Sequence, residues 1–88
     1  MNFFKKRTMN YTVGLQLRTT DGNRDLFFEI TSEEFEKYRD KMKNMAKEIL
    51  DVVEIAISTD KNLVYIPDFG VIVTKDFKGV HLHSEVCK

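Results

Sequence analysis

The chain has 88 residues, 42% of them hydrophobic and 32% charged, which is enough for one small core and too little for two. Its 14 basic and 14 acidic residues give no net charge, so the composition does not favour nucleic acid, anionic membranes or acidic partners. A single cysteine excludes an intramolecular disulfide, and no stretch approaches the roughly 20 apolar residues of a membrane span. We expect a flexible leader over residues 1–8 and a single cytoplasmic domain over residues 9–88.

A β-hairpin is predicted first. Apolar residues alternate with polar or small ones from residue 11 to residue 17, as a half-buried strand requires. Asp21 and Gly22 favour a two-residue type I′ turn, because both of its central positions need a positive φ. The predicted register places Leu17 opposite Leu26, Leu15 opposite Phe28, Val13 opposite Ile30 and Arg18 opposite Asp25.

A helix is predicted directly after the hairpin, from about Ser32 to Leu50. Thr31 is a favourable N-cap, and Glu34 three residues later completes a capping box. Acidic residues fill the first turn and lysines lie toward the end, which complements the helix dipole. The apolar stripe, which we expect to pack on the hairpin, recurs at steps of three and four: Phe35, Tyr38, Met42, Met45 and Ile49.

Short strands are predicted in the rest of the chain. The period-two spacing of Val53, Ile55 and Ile57 indicates one strand, and further strands are expected over Leu63–Ile66, Val71–Thr74 and Val80–Val86. The stretches "IPDFG" and "KDFKG" between them are typical of turns. The sequence therefore predicts an α+β fold: an N-terminal β-hairpin, one amphipathic helix, then three or four short strands in a mostly antiparallel sheet, with the helix on one face.

This layout has a counterpart among known proteins. The hairpin, the "ITSEEFEKY" helix and the strands around "NLVYIP" and "GVHL" resemble the small uncharacterised ββαββ proteins of Gram-positive bacteria and their phages. The resemblance covers residues 11–84 and consists of the order of elements and the cap-and-helix pattern. It implies a cytoplasmic accessory protein, of a kind that phages also encode, and it brings no catalytic motif.

The last predicted strand carries the most distinctive side chains. His81, His83, Glu85 and Cys87 share one face at period two, with apolar residues on the other face. Two imidazoles about 6.5–7 Å apart along a strand are used in zinc sites, where another ligand comes from elsewhere. One straight strand cannot bring all four groups to one ion. The solvated side of an antiparallel sheet is therefore the favoured interpretation, and a metal site on His81 and His83 is the alternative.

A basic group of residues suggests a second alternative, which is nucleic-acid association. Phe27, on the outer face of the hairpin, could stack on a base. Acidic residues in the same hairpin reduce its positive potential. The residues that would contact phosphates are Lys5, Lys6, Arg7, Arg18 and Arg24.

Several aromatic residues fall outside the predicted core pattern. Phe27 belongs to the outer face of the hairpin, while Phe69 and Phe77 lie in or beside turns. Such residues can be buried in a partner or in a second copy of the chain, although Phe69 and Phe77 could equally fold back onto the core. No phosphate loop or catalytic constellation is present, and no cofactor is predicted. The leading hypothesis is a small non-catalytic interaction module that forms a homo-oligomer or binds a protein partner.

Overall fold

A computed structural model describes residues 10–87, apart from the side chain of Cys87. The predicted α+β fold is confirmed: an N-terminal hairpin is followed by one α-helix and then by strands in antiparallel sheets. The elements of the described residues are β1 (Asn10–Thr19), β2 (Gly22–Thr31), α1 (Phe35–Ser58), β3 (Leu63–Ile66), β4 (Gly70–Val73), a short 3₁₀ helix (Thr74–Asp76) and β5 (Phe77–Cys87).

β1 is the centre of a three-stranded antiparallel sheet with the order β2-β1-β5, and β3 pairs with β4 in a separate hairpin. Alternate side chains of β1 point to one face and are buried there, including Leu15 and Leu17. β5 places Leu82 opposite Leu15 and Val80 opposite Leu17. The same face of the sheet is therefore apolar across β1 and β5.

The core lies between that face and a second layer made of α1 and the β3–β4 hairpin. The predicted helix stripe is confirmed, because Met42 and Ile49 are buried and the stripe's other members pack against the core. Fully burying one such side chain stabilises the fold by about 1.5–3 kcal/mol before conformational entropy is counted. The buried apolar residues of the cluster are Val13, Leu15, Leu17, Met42, Ile49, Val53, Ile66, Phe69 and Ile72.

The turn of the first hairpin differs from the predicted one. Its two loop residues are Thr20 and Asp21, and neither has a positive φ, so the predicted type I′ turn at Asp21 and Gly22 is wrong. Gly22 instead opens β2 with a φ of +136°. The Thr19 Oγ1 hydroxyl donates to the Gly22 carbonyl at 2.7 Å, which holds the two strand ends together.

The predicted hairpin register is therefore wrong by two residues. The shift is an even number, so the apolar side chains stay on the predicted face. Its main consequence is that Arg24, which lies on the core side of β2 in either register, faces Leu17 instead of Thr19. In the observed register Leu15 faces Leu26, Val13 faces Phe28, Arg18 faces Asn23 and Asp25 faces Gln16, so the predicted Arg18–Asp25 pair does not form.

The start of α1 also differs from the prediction. Thr31 is the last residue of β2, where it pairs with Asn10, and it is not available as an N-cap. A turn over residues 32–34 follows, in which the Glu34 N–H donates to the Thr31 carbonyl at 3.1 Å. Glu34 occupies the N-cap position without a side-chain cap hydrogen bond, so the capping box is wrong and the first turn is held by backbone contacts.

α1 continues to Ser58, and the predicted strand over residues 53–57 is wrong. Val53 and Ala56 are buried, and they extend the stripe beyond Ile49 by steps of four and three. Ile55 and Ile57, which a strand would place beside Val53, are exposed on the helix. Burial of one face of the helix therefore decides the conformation of residues 53–57. The period-two spacing of the β-branched residues in this segment does not reflect a strand.

The helix ends in a Schellman motif. The Lys61 N–H donates to the Ala56 carbonyl at 2.8 Å, and the Asp60 N–H donates to the Ile57 carbonyl at 3.0 Å. Asp60 has a φ of +63°, the left-handed conformation that glycine usually supplies at this position. The stop signal of α1 is therefore an aspartate.

The later elements agree with the sequence to within a few residues. The strand over Leu63–Ile66 and the turn after it are confirmed, with Asp68 and Gly70 both at positive φ. β4 begins one residue before its predicted start, and β5 begins three residues before. Within residues 10–87, no helix has the length and apolar character that crossing a membrane requires.

Candidate functional site

The β3–β4 hairpin is apolar on both of its faces. Its inner face packs into the core through Ile66 and Ile72. On its outer face Leu63, Tyr65 and Val71 have 58%, 64% and 52% of their surface exposed. A strand with one solvated face normally alternates apolar with polar residues, whereas an uninterrupted apolar run is typical of a strand covered on both sides. The hairpin therefore has the composition of a strand pair that is buried on both faces, although its outer face is exposed to solvent in the described part of the chain.

A groove separates this hairpin from α1. It encloses a cavity of about 160 Å³ lined by Met45, Glu48, Ile49, Val52, Ile66 and Pro67. Among these described lining residues, Glu48 alone carries a charge. Val52 is 40% exposed on this side of the helix, and Ile55, one turn farther along, is 61% exposed. We call the exposed apolar residues on this part of the molecule, Val52 and Ile55 of α1 and Leu63, Tyr65 and Val71 of the hairpin, the helix–hairpin surface.

Two side chains hold the hairpin in place from opposite ends. Arg24 Nη1 donates to the carbonyl oxygens of Phe69 at 2.8 Å and of Val71 at 3.2 Å. At the open end, the buried Thr74 donates its hydroxyl to the Lys61 carbonyl at 2.7 Å. A charge-assisted bond is about twice as strong as a neutral one. The helix–hairpin surface is therefore anchored to the sheet on one side and to the helix end on the other.

The opposite side of the molecule, the outer face of the three-stranded sheet, is organised around Gly14. Phe27 and His83 face Gly14 from β2 and β5, and their rings stack above it with centroids 4.7 Å apart. A Cβ at Gly14 would meet Phe27 Cδ1 at 2.5 Å and would collide with the Leu26 carbonyl oxygen. His83 Nε2 lies 3.2 Å from the carboxylate of Glu85. This face is a packed aromatic pair with an acidic neighbour.

The structure separates the three predicted interaction residues. Phe27 remains partly exposed on the outer sheet face, where its ring contacts His83. Phe69 is only 7% exposed and belongs to the core, and Phe77 is half-buried against it. Of the two outcomes left open for Phe69 and Phe77, the structure shows folding back onto the core. Neither residue offers a free surface comparable to that of Tyr65.

The sequence-based prediction did not include the helix–hairpin surface, because it was based on the phenylalanines outside the core pattern. Its signal is present in the chain as the run "NLVYIP", in which no polar residue interrupts Leu63–Ile66. An alternating strand of the kind seen in β1 would carry a polar residue at position 63 or 65. The absence of that alternation was the available clue.

The histidines lie where the pattern predicts but do not form a site of three ligands. His81 and His83 occupy the outer sheet face, opposite Gln16 and Gly14 respectively. No group of three or more His, Cys, Asp or Glu side chains among the described residues is arranged to hold a metal ion. The side chain of Cys87 lies outside that part of the chain.

The basic residues are not brought together by the described structure. Lys5, Lys6 and Arg7 lie outside the described residues. Arg24 is committed to the β3–β4 hairpin, and Arg18 donates its Nε–H to Gln16 Oε1 at 2.9 Å. Asp25 and Glu29 project from the same outer face of the sheet as Arg18. The described hairpin therefore carries no positive patch.

Comparison of the chain with family models, with curated proteins and with solved structures found no match in any of the three. The likeness to the small ββαββ proteins consequently stays a prediction. A fold alone does not define a function, whereas the exposed side chains of the helix–hairpin surface indicate what the protein can bind.

Proposed function

We propose that this protein is a small non-catalytic interaction module, which binds another polypeptide through the helix–hairpin surface. The observation that carries the proposal is the apolar outer face of β3–β4, where Leu63, Tyr65 and Val71 are more than half exposed. Large side chains of this kind in one contiguous patch mark protein-binding surfaces. Tyrosine in particular is enriched where partners bury each other's surface.

The chemistry of the groove supports binding. Its lining is apolar apart from Glu48, and α1 forms one wall while Ile66 and Pro67 form the other, so the groove suits an inserted apolar side chain of a partner. The predicted cytoplasmic location belongs to the same proposal, since the chain has a single cysteine and needs no disulfide to fold.

Nucleic-acid association has less support from the described residues. Arg24 is used within the fold, and the outer sheet face carries Asp25, Glu29 and Glu85 against Arg18. Phosphate binding requires a surplus of positive charge along the contact surface. The exposed part of Phe27 lies among these carboxylates.

A site-specific crosslinking experiment tests the proposal. A photoreactive benzoylphenylalanine replaces Tyr65 in cells that produce the protein, and the matched control carries it at Asp25, an exposed position on the opposite sheet face. Irradiation should join position 65 to a defined polypeptide, identified by mass spectrometry of the adduct, and leave position 25 unreacted. Equal labelling at both positions, or no polypeptide adduct at position 65, would refute the proposal.

A further inference from the structure

We infer that the polypeptide bound by the helix–hairpin surface is a second copy of this chain, packed face to face about a two-fold axis. This inference rests on the proposed function and names its partner. It is carried by three observations, which are the area of the exposed apolar patch, the shape of the hairpin and the charge of the chain.

The exposed apolar surface is large enough to contribute to a stable dimer. Val52, Ile55, Leu63, Tyr65 and Val71 are 40–64% exposed, and large side chains exposed to this degree present roughly a few hundred Å² of surface. A stable interface buries about 800 Å² on each partner, of which a little over half is apolar, or roughly 450–520 Å². The helix–hairpin surface can therefore supply much of the apolar part of a standard interface, and a second copy is large enough to cover it.

The shape of the patch is suited to contact with itself. The outer face of an antiparallel hairpin presents alternate side chains of both strands, and two such faces pack about 10 Å apart with interdigitated side chains. In a two-fold dimer the same patch serves both partners, so no second kind of surface is required. The pairs Leu63–Val73 and Tyr65–Val71 run across this face, and the groove beside Val52 can receive an apolar side chain from the opposing copy.

The charge and size of the chain favour the same partner. Its net charge of zero means that two copies do not repel each other at long range. A domain of this size buries only about 60–65% of the surface that its unfolded chain exposes, less than larger domains do, so covering the outer side of β3–β4 adds to a limited core. Packing of two hairpins would turn the half-covered ribbon into a strand pair covered on both faces.

Another mode of self-association involves strand edges and gives a different result in the test. β2 and β5 each pair with β1 on one side, so their outer edges could pair with another chain. Pairing at those edges would not involve Tyr65. It would therefore be insensitive to a charge at position 65.

The experiment is sedimentation equilibrium of the purified chain from micromolar to millimolar concentration, compared for the native chain, Tyr65→Asp and Ile57→Asp. Ile57 is the matched control, because it is a large apolar residue with 56% of its surface exposed, and the helical period places it on a different side of α1 from Val52. We expect the native chain and Ile57→Asp to form dimers. Tyr65→Asp should raise the dimer dissociation constant at least about 30-fold, the effect of removing an interface hot spot. Circular dichroism should show the same fold in all three proteins.

The outcomes separate the inference from the function on which it rests. A native chain that stays monomeric while position 65 still crosslinks to a different polypeptide overturns the second copy and leaves the proposed function standing. A dimer that Tyr65→Asp does not weaken overturns the inference in favour of edge pairing. A monomer with no polypeptide adduct at position 65 overturns both.

Discussion

Replacing Gly14 by alanine should destabilise the fold through a steric clash on the outer face of the sheet. The new Cβ would meet the Leu26 carbonyl oxygen, Phe27 Cα at 2.7 Å and Phe27 Cδ1 at 2.5 Å. Two of these atoms are backbone, so the clash cannot be relieved by rotating a side chain, and β2 must move away from β1. Overpacking costs about 1–3 kcal/mol, and the backbone contacts place this case at the upper end. The reduced entropy of the unfolded chain offsets roughly 0.4–1 kcal/mol of it.

The expected net loss is about 2–3 kcal/mol of unfolding free energy, out of a total of roughly 4–13 kcal/mol for a chain of this length. It corresponds to a Tm lower by about 10–20 °C for a domain of this size. The measurement is urea and thermal unfolding followed by circular dichroism at one fixed protein concentration, because self-association would add to the stability.

Two further variants identify the cause of that loss. Gly22→Ala has no atom within 4 Å of the new Cβ and strains only the positive φ, so it should cost about 1 kcal/mol. Combining Gly14→Ala with Phe27→Ala removes the ring but not the backbone contacts, so stability should return only in part. If Gly14→Ala unfolds at the same urea concentration as the native chain, the packing described above Gly14 is wrong.

Further predictions concern the hairpin anchor and the helix end. Arg24→Ala removes two charge-assisted hydrogen bonds and should lower the free energy of unfolding by about 1–2 kcal/mol. Relative to the native chain, amide hydrogen exchange should speed up more in β3 and β4 than in β1. An equal increase in all three strands would contradict the anchoring role of Arg24. Asp60→Gly should raise stability by about 0.5–1 kcal/mol in urea unfolding, since glycine takes the positive φ without strain, and a loss would argue against the Schellman motif. Val53→Ala should cost about 2 kcal/mol while Ile57→Ala stays within about 0.5 kcal/mol, whereas equal losses would indicate the strand that α1 replaces.

The sequence was sufficient where periodicity and burial agree. The helix stripe from Phe35 to Ile49 has spacing that a strand cannot satisfy, so both its conformation and its buried face were predictable. The alternation in β5 likewise placed His81 and His83 on one face with the apolar residues on the other. In both cases local pattern and tertiary contact select the same face.

The sequence was insufficient where two conformations satisfy the same local pattern. Val53, Ile55 and Ile57 have the spacing and β-branching of a strand, and only burial of Val53 and Ala56 against the core makes them helical. The helix stop was hidden for a related reason. Asp60 takes the positive φ that glycine usually supplies after a helix. Because aspartate occurs in many other local structures, its presence in the sequence does not signal a helix end.

The hairpin register and the candidate site depended on contacts between distant residues. A shift of two residues leaves the apolar face unchanged, so face matching could not detect it. In the observed register Arg24 contacts Phe69 and Val71, about 45 residues along the chain, and the local pattern contains no signal of such a contact. The exposure of Tyr65 could not be predicted from the local pattern either. An apolar strand residue is buried or exposed according to which other elements of the fold pack against it.

The position of β1 has a consequence for how the chain folds as it is synthesised. β1 pairs with β2 almost as soon as both have been made, but its other edge pairs with residues 77–87, which are translated only after α1 and the β3–β4 hairpin. Contacts between such distant segments slow folding, since a long loop must close before they form. Until β5 arrives, the nascent chain presents an open strand edge next to an apolar face, the state in which small β-containing proteins aggregate. A ribosome that stalls before residue 77 would therefore release a chain prone to aggregation, and completion of β5 is the step that ends this exposure.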